Sequence, residues 1–237
     1  PVFDWNSVIN LGGIVYVGLD ALSDYEVAGA VGNSMFADLT SVAGSLYKFG
    51  PGRGLPGEIR PRRIAIHADE FNELIGDEFI PLLNKAGGAG FQVTAYTQTW
   101  SDVEARIGSP AKAGQIAGNF NTLIMLRVKE VATAELLTDQ LPQVQVVSTI
   151  VSSSVSDTND PGEFTDFASR NEDRIAPESV RMLEPTDLVQ LPKGQAFALI
   201  HGGQLHKIRM PLPSAEHDPL MPEGLTVIGQ ALRNRFD

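Results

Sequence analysis

Apolar positions along this chain follow two rhythms. Short unbroken runs closed by charge or turn residues occur at Gly13–Leu19, Ile64–Ala68, Phe91–Thr97 and Phe120–Val128. Such runs read as strands of a sheet covered on both faces. Between them, Val27, Val31, Met35, Leu39, Val42 and Leu46 recur at spacings of four and three, which predicts a helix running to Lys48. Ser23 and Glu26 have the spacing of a capping box at its start. Phe79, Leu82, Leu83 and Ala86 predict a second helix after a turn at Gly76–Asp77, stopped by the glycines of Lys85–Gly90. Ser101 and Glu104 mark the start of a third, ending near Gly108, and Ser109–Pro110 opens a fourth. One more helix ends before Pro142.

Strands therefore alternate with helices, which predicts an α/β fold with a mainly parallel sheet flanked by helices. The pattern changes at Gln143. Residues 143–177 are rich in Ser, Thr, Asp and Asn and read as a polar excursion or flexible segment. Residues 178–213 predict a short helix and then a carboxyl-terminal β-hairpin, Ala196–His201 and Gln204–Met210, about the turn Gly202–Gly203. The hairpin would complete the core begun in residues 1–142 by adding antiparallel strands at a sheet edge. Residues 214–237 form a tail with a helical pattern at Leu225–Arg235.

Composition narrows the picture. With 18 Lys+Arg against 29 Asp+Glu, the net charge of −11 argues against strong binding to a phosphate backbone by this chain alone. A local basic cluster, Arg53, Arg60, Arg62 and Arg63, reads as a solvated strand entry. The absence of cysteine excludes disulfides and thiolate metal sites. No apolar run approaches the roughly 20 residues that span a bilayer. The first residue is Pro1 and not Met, as expected of a processed or excised piece.

The chemistry concentrates where Ile64–Ala68 ends in Asp69 and Glu70. Ligands of open α/β sheets bind beyond the carboxyl ends of the strands. Adjacent acids there can hold Mg²⁺ and polarise a water molecule, although strands also end in solvated acids for no further reason. Gln98 closes the next strand, where a polar terminus alone would account for it. Asp20 is a rival strand-end acid without a second acid beside it. Glu73, Asp77 and Glu78 add negative charge, but acids at a helix start already answer the helix dipole. His67, within the strand, reads as a hydrogen-bonded core residue, and Trp100 and Phe120 read as core or near-core residues. Asn119 suits turn or cap duty. His201 and His206 would share a hairpin face without an evident third metal ligand. The loop Gly50–Gly57 lacks the Lys-Ser/Thr ending of a phosphate-binding loop and is a connector. Serine-hydrolase elbows, zincin pairs and EF-hand loops are absent from the sequence.

Three features stand in register: IHADEFNEL (Ile66–Leu74), GFQVTAYTQ (Gly90–Gln98) and IAGNFNTLIMLRV (Ile116–Val128). Together they resemble the second half of the motor domain of type IV coupling proteins, the TraD/TraG-type conjugation ATPases, most of all the TraD-like proteins of integrating conjugative elements. The likeness covers residues 11–141, with a looser match in LPKGQAFALIHGGQLHKIRMPLP. It implies a RecA-like P-loop NTPase core fragment. It also implies that Asp69 and Glu70 are the Walker B acids, Asp69 holding Mg²⁺ and Glu70 activating water, and that Gln98 reads the γ-phosphate of ATP. The family works as a membrane-tethered homo-hexamer on the cytoplasmic side of the bacterial inner membrane. It moves DNA and its relaxase toward a type IV secretion channel.

The sequence departs from that pattern in two places. GxxxxGK[ST] does not occur, so the phosphate cradle is missing and the chain alone should be inactive. Many relatives carry an Arg that reaches a neighbouring subunit's nucleotide; alignment on Ala89–Gly90 puts Gly87 or Gly88 there, leaving Lys85 and Arg106 as guesses. Two readings from other classes compete: a non-catalytic acidic protein-interaction domain, and a small Mg²⁺-dependent phosphatase built on Asp69 and neighbouring acids.

Overall fold

The structure is a computed structural model. It describes residues 3–21, 23–51, 63–156, 168–200, 203–211 and 224–236. The Gly50–Gly57 loop from residue 52 onward, Arg53, Arg60 and Arg62 of the basic cluster, and His201 with Gly202 lie outside the described residues.

Helix α1 (Trp5–Leu11) is capped by the Asp4 carboxylate, which accepts from the Asn6 and Ser7 amides, and ends at Gly12 in the left-handed region. The following apolar run, expected to be a strand, pairs with no strand among the described residues. Ile14 and Tyr16 are almost wholly exposed in it. A strand needs a partner for its amides and carbonyls, which a local sequence signal cannot supply.

Helix α2 (Tyr25–Phe49) spans nearly the range its periodicity predicts. Its N-cap is Asp24, whose side chain accepts from the Val27 amide, in place of the predicted Ser23; Ser23 instead bonds Asp20. The buried stripe is Ala28, Gly29, Gly32, Phe36, Leu39, Val42 and Ala43, while Val27 and Val31 stay exposed. Small residues decide the rotation. A Cβ on Gly32 would stand 3.2 Å from the Leu74 Cβ and 3.3 Å from the Leu74 carbonyl oxygen. The helix therefore turns its glycine face inward to let its neighbour approach.

Strands β1 (Ile64–Ala68) and β2 (Phe91–Ala95) pair in parallel, in the register Ile64 opposite Phe91 through Ala68 opposite Ala95. Ile64, Ile66 and Ala68 of β1 and Phe91, Val93 and Ala95 of β2 face the first core. That core also takes side chains from α2, α3 (Phe71–Leu74), α4 (Phe79–Lys85), α5 (Trp100–Ile107) and α6 (Pro110–Gly118). The Phe79 ring meets Phe36 edge-on at 5.0 Å and Phe71 at 5.8 Å. Trp100 and Phe120 pack against this cluster, as expected.

The opposite face of the pair carries Ala65, His67, Gln92 and Thr94, all exposed. His67 is thus not a core residue. Only one face of β1 is covered among the described residues, and the His67 Nδ1 lies 3.1 Å from the Tyr96 hydroxyl.

Strand β3 (Leu123–Leu126) pairs with no described part of β2; it runs antiparallel to β6 (Gln195–Ile200), which in turn pairs with β7 (Gln204–Arg209). The expected hairpin is therefore present and extends the sheet from β3. Helices α7 (Val131–Thr138) and α8 (Pro185–Val189) cover it in a second cluster around Met125, Ala134, Leu137 and Leu188. Residues 143–156 and 168–181, within or beside the stretch read as a polar excursion, form an antiparallel ribbon of β4 (Gln143–Ser156) and β5 (Ala168–Arg181). Helix α9 (Leu225–Phe236) closes the chain.

Candidate functional site at the carboxyl ends of β1 and β2

Because β1 and β2 are parallel and in register at Ala68 and Ala95, both strands end on the same side. The turns that follow are laced together. The Tyr96 amide donates to the Ala68 carbonyl at 2.9 Å, and the Phe71 amide donates to the Tyr96 carbonyl at 3.0 Å. The Thr97 hydroxyl lies 3.2 Å from Asn72 Oδ1 and 3.1 Å from the Thr99 carbonyl oxygen, sharing its proton between them. Asp69, Glu70 and Gln98, separated by up to 29 positions in sequence, thus meet at one end of one pair of strands, and all three are exposed.

Glu70 has φ +46 and is the non-glycine residue in the left-handed region among the described residues. Its amide donates to Asp69 Oδ1 at 3.1 Å, which helps hold the turn. Such a conformation costs an L-residue about 1–2 kcal/mol, so the surrounding bonds must impose it. It sends the backbone sharply from β1 into α3 and leaves both carboxylates at the rim.

The neighbouring acids do not gather into a cage. Among the described residues no three His, Asp or Glu side chains come together. Asp77 pairs with Lys112 at 2.7 Å, and Glu73 accepts from Asn72. Asn119 caps α6, as expected, donating to the Gln115 carbonyl at 2.6 Å.

Arg106 is engaged within its own chain. Its Nε donates to the Ile75 carbonyl at 3.2 Å, its guanidinium lies over the Tyr25 ring, and Nη1 bonds the Tyr25 hydroxyl. Arg106 thereby pins α5 to α2. Lys85, in the last turn of α4, is exposed.

The residues that sequence reasoning missed lie behind Gln98. Thr99 and not Ser101 caps α5, accepting from the Asp102 amide. Ser101 instead donates to Glu130 Oε1 at 2.6 Å, and Thr133 donates to Glu130 Oε2 at 2.6 Å. The Trp100 amide donates to the Thr133 hydroxyl at 3.0 Å. The two hydroxyl donors hold the Glu130 carboxyl below its usual range.

The family model described as the TraM recognition site of TraD and TraG matches residues 63–193, more than half of the chain. The chain belongs to this TraD/TraG family. The match begins at β1 and contains Asp69, Glu70 and Gln98. Solved structures agree on the fold. The plasmid coupling protein TrwB in complex with the ATP analogue ADPNP aligns at TM-score 0.62 and 16% identity, covering 90% of this chain and 44% of that one. TrwB in complex with ADP and Mg²⁺ aligns at TM-score 0.60 and 18% identity, covering 94% and 46%. A trigonal, sulphate-bound form of the bacterial conjugative coupling protein TrwBdeltaN70 aligns at TM-score 0.60 and 19% identity, covering 94% and 47%. This TraD/TraG chain therefore has the RecA-like α/β fold of a coupling protein's carboxyl-side part and spans less than half the length of those structures. No curated protein matches it. None of its described helices is long and apolar enough to cross a membrane.

Proposed function

We propose that this chain is the carboxyl-side part of the motor of a conjugative coupling ATPase, with Asp69, Glu70 and Gln98 forming its share of the nucleotide site. The convergence of these residues at the ends of two in-register parallel strands carries the reading. Similarity to a protein solved with ADPNP, and with ADP and Mg²⁺, supports it.

The donor set fits Mg²⁺ that arrives with a nucleotide. Such an ion is held by one or two carboxylates, water and phosphate oxygens, not by an all-protein cage. Bound ATP would supply the phosphoanhydride bond whose cleavage powers the motor. Asp69 would hold the ion with its exposed carboxylate. Glu70 would accept a proton from the attacking water, and Gln98 would orient that water or a terminal phosphate oxygen with its amide.

The sequence contains no phosphate-binding loop, so the cradle would come from elsewhere in a longer polypeptide. The second edge of β2, which pairs with no described strand, supports this arrangement. A parallel strand laid there would end beside Gln98, with Asp69 one strand further along the same edge of the sheet. In that assembly, a homo-hexamer anchored at the inner membrane would move DNA and its relaxase toward a type IV secretion channel.

The test is made in the complete protein. Glu70→Gln should keep ATP bound and stop its hydrolysis, and Asp69→Asn should lose the Mg²⁺-dependent part of nucleotide binding. Normal turnover in Glu70→Gln removes Glu70 from the mechanism. Phosphate release by this chain alone would favour the metal-dependent phosphatase instead.

A further inference from the structure

We propose that Glu130 is a positioning residue for the turn that carries Gln98, acting through Ser101 and Thr133; this rests on the nucleotide-site reading of Gln98. Glu130 occupies the N-cap position of α7 yet makes no side-chain cap hydrogen bond to that helix. A Ser, Thr, Asp or Asn there would serve α7 better. Its carboxylate instead bridges two helices through hydroxyl groups, Ser101 on α5 and Thr133 on α7 itself. One oxygen takes the Ser101 hydroxyl proton and the other the Thr133 hydroxyl proton, both at 2.6 Å.

The direction of these bonds matters. The Thr133 hydroxyl has one proton, and giving it to Glu130 leaves its oxygen lone pairs facing the Trp100 amide, which donates at 3.0 Å. Thr133 is buried, at 6% exposure, so the arrangement has little freedom to relax into water. Removing the carboxylate frees the Thr133 hydroxyl to rotate and leaves Ser101 without its acceptor. The amide two residues after Gln98 then loses its fixed partner.

Gln98 is held from both sides. On its amino side, Thr97 lies against Asn72 of α3. On its carboxyl side, Trp100 is tied to α7 through Thr133. The first anchor belongs to the core around Phe71 and Phe79, whereas α7 belongs to the separate core around Ala134 and Leu137. Glu130 therefore links the placement of Gln98 to the position of the second core. A misplacement of about 1 Å at a reacting group can cost up to 100-fold in rate, so this link bears directly on turnover.

Two measurements test it. In this chain, amide hydrogen exchange at Trp100 should speed up in Glu130→Ala, while amides of α4 keep their protection. Unchanged exchange at Trp100 overturns the anchoring. In the complete protein with ATP and Mg²⁺, Glu130→Ala should lower kcat about tenfold with little change in KM. Glu130→Gln, which retains an acceptor oxygen, should recover part of the loss. The Glu130→Ala/Gln98→Ala double variant should be no slower than Gln98→Ala alone. A slow Gln98→Ala beside a normal Glu130→Ala overturns this inference and leaves the site reading intact, as do losses that multiply in the double variant. A normal Gln98→Ala overturns the site reading and the functional half of the inference with it. Ser101→Ala, which removes one of the two hydroxyls on Glu130, carries the same comparisons if Glu130→Ala does not fold.

Discussion

Arg106 and Tyr25 stack across two helices, the guanidinium carbon standing 4.5 Å from the centre of the ring. The same guanidinium reaches the Ile75 carbonyl, so one side chain joins α5, the first turn of α2 and the end of α3. Arg106→Ala should destabilise the chain by about 1–3 kcal/mol, seen as a lower urea midpoint. Arg106→Lys should recover little, because an ammonium offers neither a planar face nor an Nε–H. A variant as stable as the parent would show the contact to be idle.

Glu70 gives a second expectation, drawn from its backbone alone. At φ +46, glycine removes the steric cost that an L side chain carries. Glu70→Gly should raise stability by about 0.5–1 kcal/mol after glycine's larger unfolded-state entropy is counted, while Glu70→Gln leaves it unchanged. Urea unfolding of the three chains makes the comparison, and equal midpoints would contradict the imposed turn.

Two glycines of α2 should respond in opposite directions. Gly32 abuts the backbone of Leu74, so Gly32→Ala forces the helices apart and costs about 1–3 kcal/mol. Gly44 lies on the exposed side of the helix, and a Cβ there would meet nothing within 4 Å. Gly44→Ala should stabilise by about 0.5–1 kcal/mol through helix propensity. Thermal unfolding distinguishes them by the sign of the Tm shift.

The pH dependence follows from Glu130. Its folded-state pKa lies below the ordinary value of 4.5, with the Ser101 hydroxyl bond the largest cause and the Thr133 bond the next. Between the folded and unfolded values the unfolded chain binds more protons, so stability rises with pH there. The contribution is complete above 4.5 and is lost as pH falls through the folded value. The stability difference between the parent and Glu130→Gln should therefore shrink on acidification below 4.5. Asp4, lowered chiefly by the Ser7 side-chain bond, titrates in the same direction but is common to both chains and cancels. A difference that stays constant down to about pH 3 would contradict the assigned hydrogen bonds.

Much of the candidate site is legible in the sequence. The run Ile64–Ala68 and the run after Gly90 each announce where a strand stops, and acids or amides at those stops are visible by inspection. Ser109 and Pro110 likewise mark the start of α6 through local rules alone. Other starts are displaced by a residue or two. Asp24 caps where Ser23 is expected, and Thr99 where Ser101 is expected. Adjacent polar residues have nearly equal capping propensity, and Ser101 is diverted by Glu130, 29 positions away. Nothing local marks Glu130 as more than an acid at a helix start.

The order of side chains along the chain determined the run of α2 and where β1 and β2 end, and so that two acids and a glutamine stand at strand termini, because periodicity and strand termination are local properties. That these termini lie side by side was decided by the parallel pairing of the two strands. Tertiary structure decided which stripe of α2 is buried, that His67 faces outward, and that Gly13–Leu19 pairs with no described strand. Those outcomes depend on which distant backbone supplies hydrogen-bond partners and on how closely two helices can approach. No single segment contains that information.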